Sequence, residues 1–243
     1  MRTVAVVLAA GSGNRFGAAR PKQLSLLAGR TLVEHSVRAF DQAPAVDEVL
    51  VVAAADIEAE VRRDCARYPS VTAVIQGGTT RTDSTRQALG WLTSAWQASG
   101  DQDEDWKVLI HDAARPLVDQ RTIAESVSAL DRWQAVGVVV ASADTIVKVS
   151  GGTIRRVLPR DTLARCQTPQ GFRLSVLSTA YQLAGADPGF GSVPATDDCG
   201  VVLRYLPDVP VGAVAGSERN LKITYPADLA IAGILLDADD SAP

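Results

Sequence analysis

The sequence predicts an α/β protein built on a mainly parallel central sheet. Short apolar runs typical of buried strands recur along the chain, and amphipathic helical patterns separate them. Polar loops, several of them rich in glycine, follow these runs. Because the ligand crevice of such a sheet lies at the carboxyl ends of its strands, we expect the functional residues in those loops.

The first predicted strand, residues 4–8, leads into a loop of glycines and basic residues. Gly11, Gly13 and Gly17 let the backbone approach a ligand closely, and Arg15 and Lys22 supply positive charge. The loop matches neither a Walker A motif nor a dinucleotide fingerprint. An ordinary strand-turn-helix connection would explain the glycines. The two cations favour a site for a mononucleotide triphosphate.

The alternation of strand and helix continues through residue 75. A capping box, Thr31 to Glu34, begins a helix with one apolar face. Residues 49–53 and 71–75 read as strands, and residues 57–67 between them read as a helix. The polar stretch 76–84 then precedes another helix. Asp83 or Ser84 either caps that helix or helps to form a pocket for a base or ribose.

The predicted strand 107–110 ends in the motif HDAARP. Asp112 could hold a divalent cation there, and Arg115 could hold an incoming anion. An ion pair between these two residues that only shapes the turn is the alternative.

A hairpin interrupts the pattern after the predicted helix 122–133 and strand 136–141. Two alternating segments, 144–149 and 153–158, flank Ser150-Gly151-Gly152. An isolated hairpin is marginally stable, so this one needs a covering surface. We expect that surface to be another subunit, and a hairpin folded back on its own domain is the alternative.

The remaining predicted elements are a helix at 174–183, a strand at 211–214 and a closing helix at 227–236. Lys222 lies in a strand-like alternation from which its ammonium group could reach the crevice. We expect one domain over residues 1–237, with residues 143–161 as an inserted hairpin arm and residues 238–243 as a frayed tail.

The amino-acid composition indicates which binding partners and which cellular compartment to expect. The 243 residues carry a net charge of -4 with dispersed cations, which argues against a nucleic-acid partner. The chain has no apolar run near the ~20 residues of a membrane span and no signal-peptide pattern, so we expect no membrane partner and a cytoplasmic location. Three unpatterned cysteines favour reduced thiols.

Taken in order, these motifs resemble one family, the 2-C-methyl-D-erythritol 4-phosphate cytidylyltransferases of the non-mevalonate isoprenoid pathway. The matching stretches are LAAGSGNRFG, PKQ, GGTTRTDS, HDAARP, DTIVKV, PRDTLARCQTPQ, ATDD and NLKIT. The resemblance implies a Rossmann-like sugar-nucleotidyltransferase fold with helices on both faces of the sheet. It also implies a homodimer joined by the hairpin arm, and transfer of CMP from CTP to methylerythritol phosphate with Mg²⁺ present.

The resemblance also implies roles for individual residues. Arg15, Lys22 and Lys222 would be catalytic, and Asp112 is a tentative metal ligand beside a Mg²⁺ held mainly by CTP. The cytosine and ribose would contact Ala9, Ala10, Gly11, Gly78, Thr79 and Ser84, and the triphosphate would contact Gly13, Arg15 and Lys22. The sugar phosphate would contact Asp112, Arg115, Thr168, Thr196 and Lys222, with Thr145 and Arg160 entering from the partner subunit.

Two departures and two alternatives accompany the resemblance. The residues after the TDD motif, Cys199 to Leu203, differ from the family pattern and put the helix packing behind Thr196 in doubt. Position 79 is often acidic in relatives. The alternatives are a cytidylyltransferase for another polyol phosphate, such as ribitol 5-phosphate, and a non-catalytic nucleotide-binding module.

Overall fold

A seven-stranded, mainly parallel sheet forms the centre of the protein. In the computed structural model, the described residues are 1–11, 13, 16–17, 20–100, 103–192 and 195–240. The sheet order is β11-β7-β10-β6-β1-β4-β5, and β10 runs antiparallel to both of its neighbours. The strands are β1 (Thr3–Ala9), β2 (Leu26–Leu27), β3 (Arg30–Thr31), β4 (Glu48–Ala53), β5 (Val71–Gln76), β6 (Lys107–Asp112), β7 (Ala135–Ala141), β8 (Val147–Ser150), β9 (Thr153–Val157), β10 (Ala164–Arg173) and β11 (Val211–Ala215).

Seven helices connect these strands in the described part of the chain. They are α1 (Leu32–Asp41), α2 (Glu58–Cys65), α3 (Arg81–Ala98), α4 (Gln120–Ala129), α5 (Leu174–Ala186), α6 (Asp198–Tyr205) and α7 (Pro226–Asp240). The predicted capping box of α1 is confirmed, because Thr31 accepts from the Glu34 backbone and Glu34 accepts in return. None of the helices in these ranges is long and apolar enough to cross a bilayer.

Helices cover both faces of the sheet, as predicted. Every residue of β1 is buried, and its side chains alternate between two apolar clusters. One cluster receives side chains from α1, α2 and α4, and the other receives them from α3, α5 and α6. Burial on both sides explains why the strands read as continuous apolar runs rather than as alternating patterns.

The hairpin of β8 and β9 forms a separate two-stranded sheet. Every residue of β9 is exposed, including Ile154 and Val157, which are 66% and 60% exposed. Val149 on β8 is 58% exposed. The predicted hairpin is therefore confirmed, and it does not fold back onto its own domain.

Strand β10 and helix α6 were missed by the sequence analysis. β10 contains Pro169, which argues against a central strand, and its pairing register with β7 shifts between Gln167 and Gln170. Helix α6 is short and contains Gly200, but the Asp197 side chain caps it by accepting from the Gly200 backbone at 2.8 Å. Cys199, Val201 and Val202 are buried, so the residues that depart from the family pattern pack normally against the sheet.

The chain after β11 also differs from the prediction. Lys222 lies in a segment without regular secondary structure, residues 220–224, and not in a strand. We call this segment the C-terminal strap. Helix α7 continues to Asp240, so positions 238–240 of the predicted tail are helical, and residues 241–243 lie outside the described residues.

Candidate active site

A cleft of about 350 Å³ lies beyond the carboxyl ends of β1, β5 and β6. Residues that the sequence analysis selected from separate loops meet there, as expected for a parallel sheet. The lining residues are Leu8, Ala10, Gly11, Gly13, Lys22, Gln23, Arg81, Ser84, Asp112, Ala114, Lys222 and Thr224. Ala9 is fully buried at the end of β1 and does not line the cleft, so its predicted contact with the nucleotide stays a prediction.

The loop after β1 is held by residues that follow it. Gly13 has a φ of +63°, and a Cβ there would lie 3.1 Å from the Lys22 Cβ, so both conformation and contact require glycine. The Gln23 side chain donates to the Gly11 carbonyl. Lys22 Nζ donates to the Ile223 carbonyl in the C-terminal strap at 2.8 Å. Arg15 lies outside the described residues, so its phosphate contact stays a prediction.

The loop between β5 and α3 is shaped by a second capping box. Thr80 caps α3 by accepting from the Asp83 backbone, and the Asp83 carboxylate accepts from Thr80 in return. The hydrogen bond from the Thr80 side chain is the main cause that lowers the pKa of Asp83. Thr80 is the N-cap residue, and Asp83 takes part in the capping as the acidic member of the box, so the capping interpretation holds in part for Asp83 and not for Ser84.

Ser84 lines the cleft beside this loop and is hydrogen-bonded to Gly78. The Gly78 N–H donates to Ser84 Oγ at 3.2 Å, and that hydroxyl donates to the Thr80 carbonyl at 3.0 Å. Thr79 is exposed and bonds to Asp83 at 3.0 Å. Hydrogen bonds thus hold Gly78, Thr79 and Ser84 together at the start of α3, and Ser84 is the one of these three that lines the cleft.

Asp112 lies between two cations at the end of β6. Arg81 Nε donates to its Oδ1 at 3.0 Å, and Lys222 Nζ donates to its Oδ2 at 2.7 Å. Burial alone would raise the pKa of Asp112, but the charges of Arg81 and Lys222 outweigh burial and hold the pKa well below its usual value. The ion pair between Asp112 and Arg115 that the sequence left open is not formed.

Arg115 is directed at backbone carbonyls. Its guanidinium donates to Asn220 O at 2.8 Å and to Cys166 O at 3.4 Å. Burial lowers its pKa, although the group stays cationic at neutral pH because arginine is so basic. Arg115 thus fastens the C-terminal strap to β10, and its predicted contact with an anion stays a prediction.

Strand β10 brings Thr168 and Gln170 behind Asp112. Thr168 Oγ1 accepts from the Asp112 backbone N–H at 3.1 Å and contacts His111 Nδ1 at the same distance. Gln170 Oε1 accepts from the backbone of Asp198 and Cys199, at 3.1 and 3.2 Å. Gln170 therefore fixes the start of α6, next to exposed Thr196. Gln170 belongs to the TPQ motif, but the sequence analysis assigned it no role.

Arg81 and Asp198 are the site residues that the sequence analysis missed. Arg81 Nη1 donates to Asp198 Oδ2 at 2.7 Å, and Asp198 is completely buried. Their motifs, GGTTRTDS and ATDD, were both recognised. Only the structure shows that the ion pair between Arg81 and Asp198 joins these motifs and that Arg81 also holds Asp112.

Thr145 and Arg160 lie at the base of the hairpin, outside the cleft lining. Both are exposed, and Arg160 Nη1 donates to the Ala143 carbonyl at 3.2 Å. The protein does not bring these two residues to its own cleft.

The described residues contain no group of three metal-ligating side chains. Asp112 is the one carboxylate in the described lining, and both of its oxygens bond to cations. This donor set suits Mg²⁺ only if most ligands come from substrate phosphates and water, which is how this ion usually binds.

Comparisons with known proteins agree on one family. The family model IspD, 2-C-methyl-D-erythritol 4-phosphate cytidylyltransferase, matches residues 3–238. A protein with that name from Thermobifida fusca is 50% identical over 242 residues, which cover 97% of this chain and 93% of the relative. A solved 4-diphosphocytidyl-2C-methyl-D-erythritol synthase from Anaerococcus prevotii superposes with a TM-score of 0.80 at 25% identity, covering 97% of this chain and 98% of the other.

A further relative has a different printed activity. The bifunctional ribulose 5-phosphate reductase/CDP-ribitol pyrophosphorylase Bcs1 from Haemophilus influenzae is 36% identical over 241 residues. The match covers 98% of this chain and 48% of that protein. The higher identity to the methylerythritol phosphate enzyme and the match of the family model over residues 3–238 decide between the two, and the chain belongs to the 2-C-methyl-D-erythritol 4-phosphate cytidylyltransferase family.

Proposed function

We propose that this chain transfers CMP from CTP to 2-C-methyl-D-erythritol 4-phosphate. The products are 4-diphosphocytidyl-2-C-methyl-D-erythritol and pyrophosphate. One observation carries the proposal beyond family membership. Lys22, Lys222 and Asp112 converge on the same cleft as the glycine loop after β1, with Lys22 bonded to the residue next to Lys222.

The reaction joins two anions, so cations must lie on both sides of the reacting phosphorus. An oxygen of the acceptor phosphate attacks the α-phosphorus of CTP, and the bond to the β-phosphate bridging oxygen breaks in line with it. The leaving pyrophosphate carries away that electron pair. A phosphate monoester is largely dianionic near neutral pH, so the attack needs no general base.

The nucleotide side of the cleft fits CTP. Cytosine presents an amino donor and a carbonyl acceptor, which the backbone of the loops at Ala10 and Gly78 can match, with Ser84 adding a hydroxyl. Gly13 and Lys22 hold the triphosphate, together with Arg15. Positive charge fixed at these positions stabilises the negative charge that develops on the phosphate oxygens.

The acceptor side lies around Asp112. Lys222 neutralises the attacking phosphate, and Arg115 orients it. Thr168 and Thr196 contribute hydroxyl groups. Thr168 supports this assignment because its hydroxyl already contacts the Asp112 backbone.

Mg²⁺ is the divalent cation in this proposal. Triphosphate oxygens would hold most of its coordination positions, and Asp112, the one carboxylate in the described lining, would be the protein group that contacts it. When bound, the ion neutralises charge on the phosphates and favours departure of pyrophosphate.

The hairpin arm, residues 143–161, joins two copies of the chain in a homodimer. Exposed apolar side chains on both strands support this, because Val149, Ile154 and Val157 are each more than half exposed. Thr145 and Arg160 would then reach the acceptor site of the partner subunit. The same proposal includes a single domain over residues 1–237 and a cytoplasmic location, which the three free cysteines support.

Ribitol 5-phosphate is the alternative acceptor, favoured by the identity to Bcs1. A non-catalytic nucleotide-binding module is the other alternative, and the retained cations Arg15, Lys22 and Lys222 argue against it.

Pyrophosphate release with CTP and each acceptor tests the proposal. We expect methylerythritol phosphate to give the higher kcat/KM. Faster turnover of ribitol 5-phosphate would replace the first acceptor by the second, and turnover of neither would support the non-catalytic module.

A further inference from the structure

Arg81 is the half-buried cation of the acceptor side. It is the first residue of α3, and its guanidinium reaches across the cleft wall to two carboxylates on different elements. Asp112 ends β6, whereas Asp198 begins α6. Arg81 Nη2 is buried and has no hydrogen-bond partner. The side chain therefore joins three elements at one point beneath the cleft.

Asp198 holds the guanidinium from behind. It is fully buried, and it receives the Tyr181 hydroxyl at 2.5 Å on the oxygen that Arg81 does not use. Its backbone N–H donates to Gln170. With its carboxylate fixed in this way, Asp198 keeps Arg81 in place whatever occupies the cleft.

Lys222 differs from Arg81 in exposure. The Lys222 side chain is 41% exposed, whereas the Arg81 side chain is 25% exposed. Lys222 must turn toward the acceptor phosphate in the proposed reaction, which removes a cation from Asp112. A buried carboxylate that lost its only cation would be strongly destabilised. Arg81 prevents this, because it stays bonded to Oδ1.

We infer that Arg81 is a positioning residue for the acceptor. It holds the Asp112 carboxylate so that Oδ2, released by Lys222, accepts a hydrogen bond from a hydroxyl of the polyol phosphate. The inference rests on the proposed function and adds a specific contact to it. The group that Asp112 recognises is a hydroxyl on carbon close to a phosphate. In this inference Arg81 serves binding of the acceptor and not of the nucleotide.

The test uses variants that separate positioning from folding. Arg81→Met alone leaves Asp198 buried without its cation, and it can therefore fail to fold. Arg81→Met combined with Asp198→Asn removes both charges, an exchange that is often tolerated in protein interiors. Asp198→Asn alone keeps the bond from Arg81 to Asp112. Arg121→Met is the matched control, because Arg121 makes only an exposed pair with Glu125 on α4 among its described contacts.

Pyrophosphate release is measured with acceptor varied at saturating CTP and with CTP varied at saturating acceptor. For the double variant we expect the acceptor KM to rise about tenfold to hundredfold, the range for losing a hydrogen bond to a charged group. The KM for CTP stays within about twofold, because the nucleotide contacts are unchanged. Asp198→Asn has a smaller effect, and Arg121→Met has none. Stabilisation of each variant by CTP in thermal unfolding confirms a folded nucleotide site.

Two results would overturn the inference. One is an acceptor KM in the double variant equal to that of the wild type. The other is a KM for CTP that rises in parallel with the acceptor KM, which would make Arg81 part of the nucleotide site. A wild-type chain inactive with both polyol phosphates would instead contradict the proposed function.

Discussion

Gly78 is the position where a single added methyl group tests the base-binding loop. A Cβ at Gly78 would lie 2.2 Å from the Asp83 Cβ and 3.0 Å from the Asp83 carbonyl carbon. Carbon atoms pack best at about 3.5–4.0 Å, so one side must move. Asp83 cannot move freely, because the capping box of α3 fixes it. Gly78→Ala therefore displaces the loop, which also breaks the bond from Gly78 N–H to Ser84.

The expected magnitude follows from the overlap. Overpacking of this kind costs about 1–3 kcal/mol of unfolding free energy, which lowers Tm by about 2–12 °C in a chain of this size. Loss of one backbone contact to the base raises the KM for CTP about fivefold to tenfold. We expect the acceptor KM to change less, because Asp112 and Thr168 lie on other strands.

Gly90→Ala is the matched control, and the assay is thermal unfolding combined with pyrophosphate release. Gly90 lies on an exposed face of the same helix, with no atom within 4 Å of an added Cβ. Alanine there stabilises the helix by about 0.5–1 kcal/mol, so Tm rises. If Gly78→Ala has the Tm and the KM for CTP of the wild type, the conclusion that this loop packs closely against α3 is refuted.

Three further predictions concern catalysis, assembly and pH. Lys222→Met is expected to lower kcat about a hundredfold to a thousandfold. The Tm is expected to stay nearly unchanged, because Arg81 still neutralises Asp112. A kcat near that of the wild type would remove Lys222 from the mechanism. Arg160→Ala is expected to lower kcat/KM for the acceptor more than kcat/KM for CTP. Mixing this variant with Lys22→Ala is expected to restore activity in hybrid dimers. If the activity of the mixture is only the sum of the two separate activities, the shared site is contradicted. Burial lowers the pKa of His111 to about 4. Between about pH 6.5 and pH 4, His111 is therefore neutral in the folded protein and protonated in the unfolded chain. The free energy of unfolding is expected to fall by about 1.4 kcal/mol for each pH unit across this range as the pH is lowered. Denaturant titrations at several pH values check this for the wild type and for His111→Gln. An equal dependence of the free energy of unfolding on pH in the two proteins would refute the prediction.

The strands and most helices of the sheet were predictable because burial on both faces leaves a strong pattern. Residues 4–8 and 49–53 are continuous apolar runs, residues 107–110 are apolar after Lys107, and each segment forms the predicted strand. β10 was not predictable in this way. Its buried residues include Gln167, Thr168 and Gln170, whose polar groups are satisfied by partners far along the chain. A pattern of apolar side chains cannot reveal a strand stabilised by such contacts.

The same distinction applies to the site. Ala10, Gly11, Gly13 and Lys22 form one local stretch, and their convergence with Asp112 followed from the rule for strand ends. Arg81 and Asp198 are separated by 117 positions, and only folding brings their side chains together as an ion pair between the starts of α3 and α6. Arg115 is a different case. The ion pair with Asp112, which was the alternative reading of its motif, is not formed, because backbone carbonyls of the strap and β10 take the donors of Arg115.

The C-terminal strap determines when the cleft is completed during synthesis. β1, β4, β5 and β6 are all present once residue 112 has been made. Lys22, however, donates to the carbonyl of Ile223, 201 positions later in the chain, and Asp112 accepts from Lys222, 110 positions later. A nascent chain that stalls just before the strap holds all seven strands of the sheet but an unfinished cleft. Because distant contacts form slowly, we expect activity to return after the sheet when the denatured protein refolds.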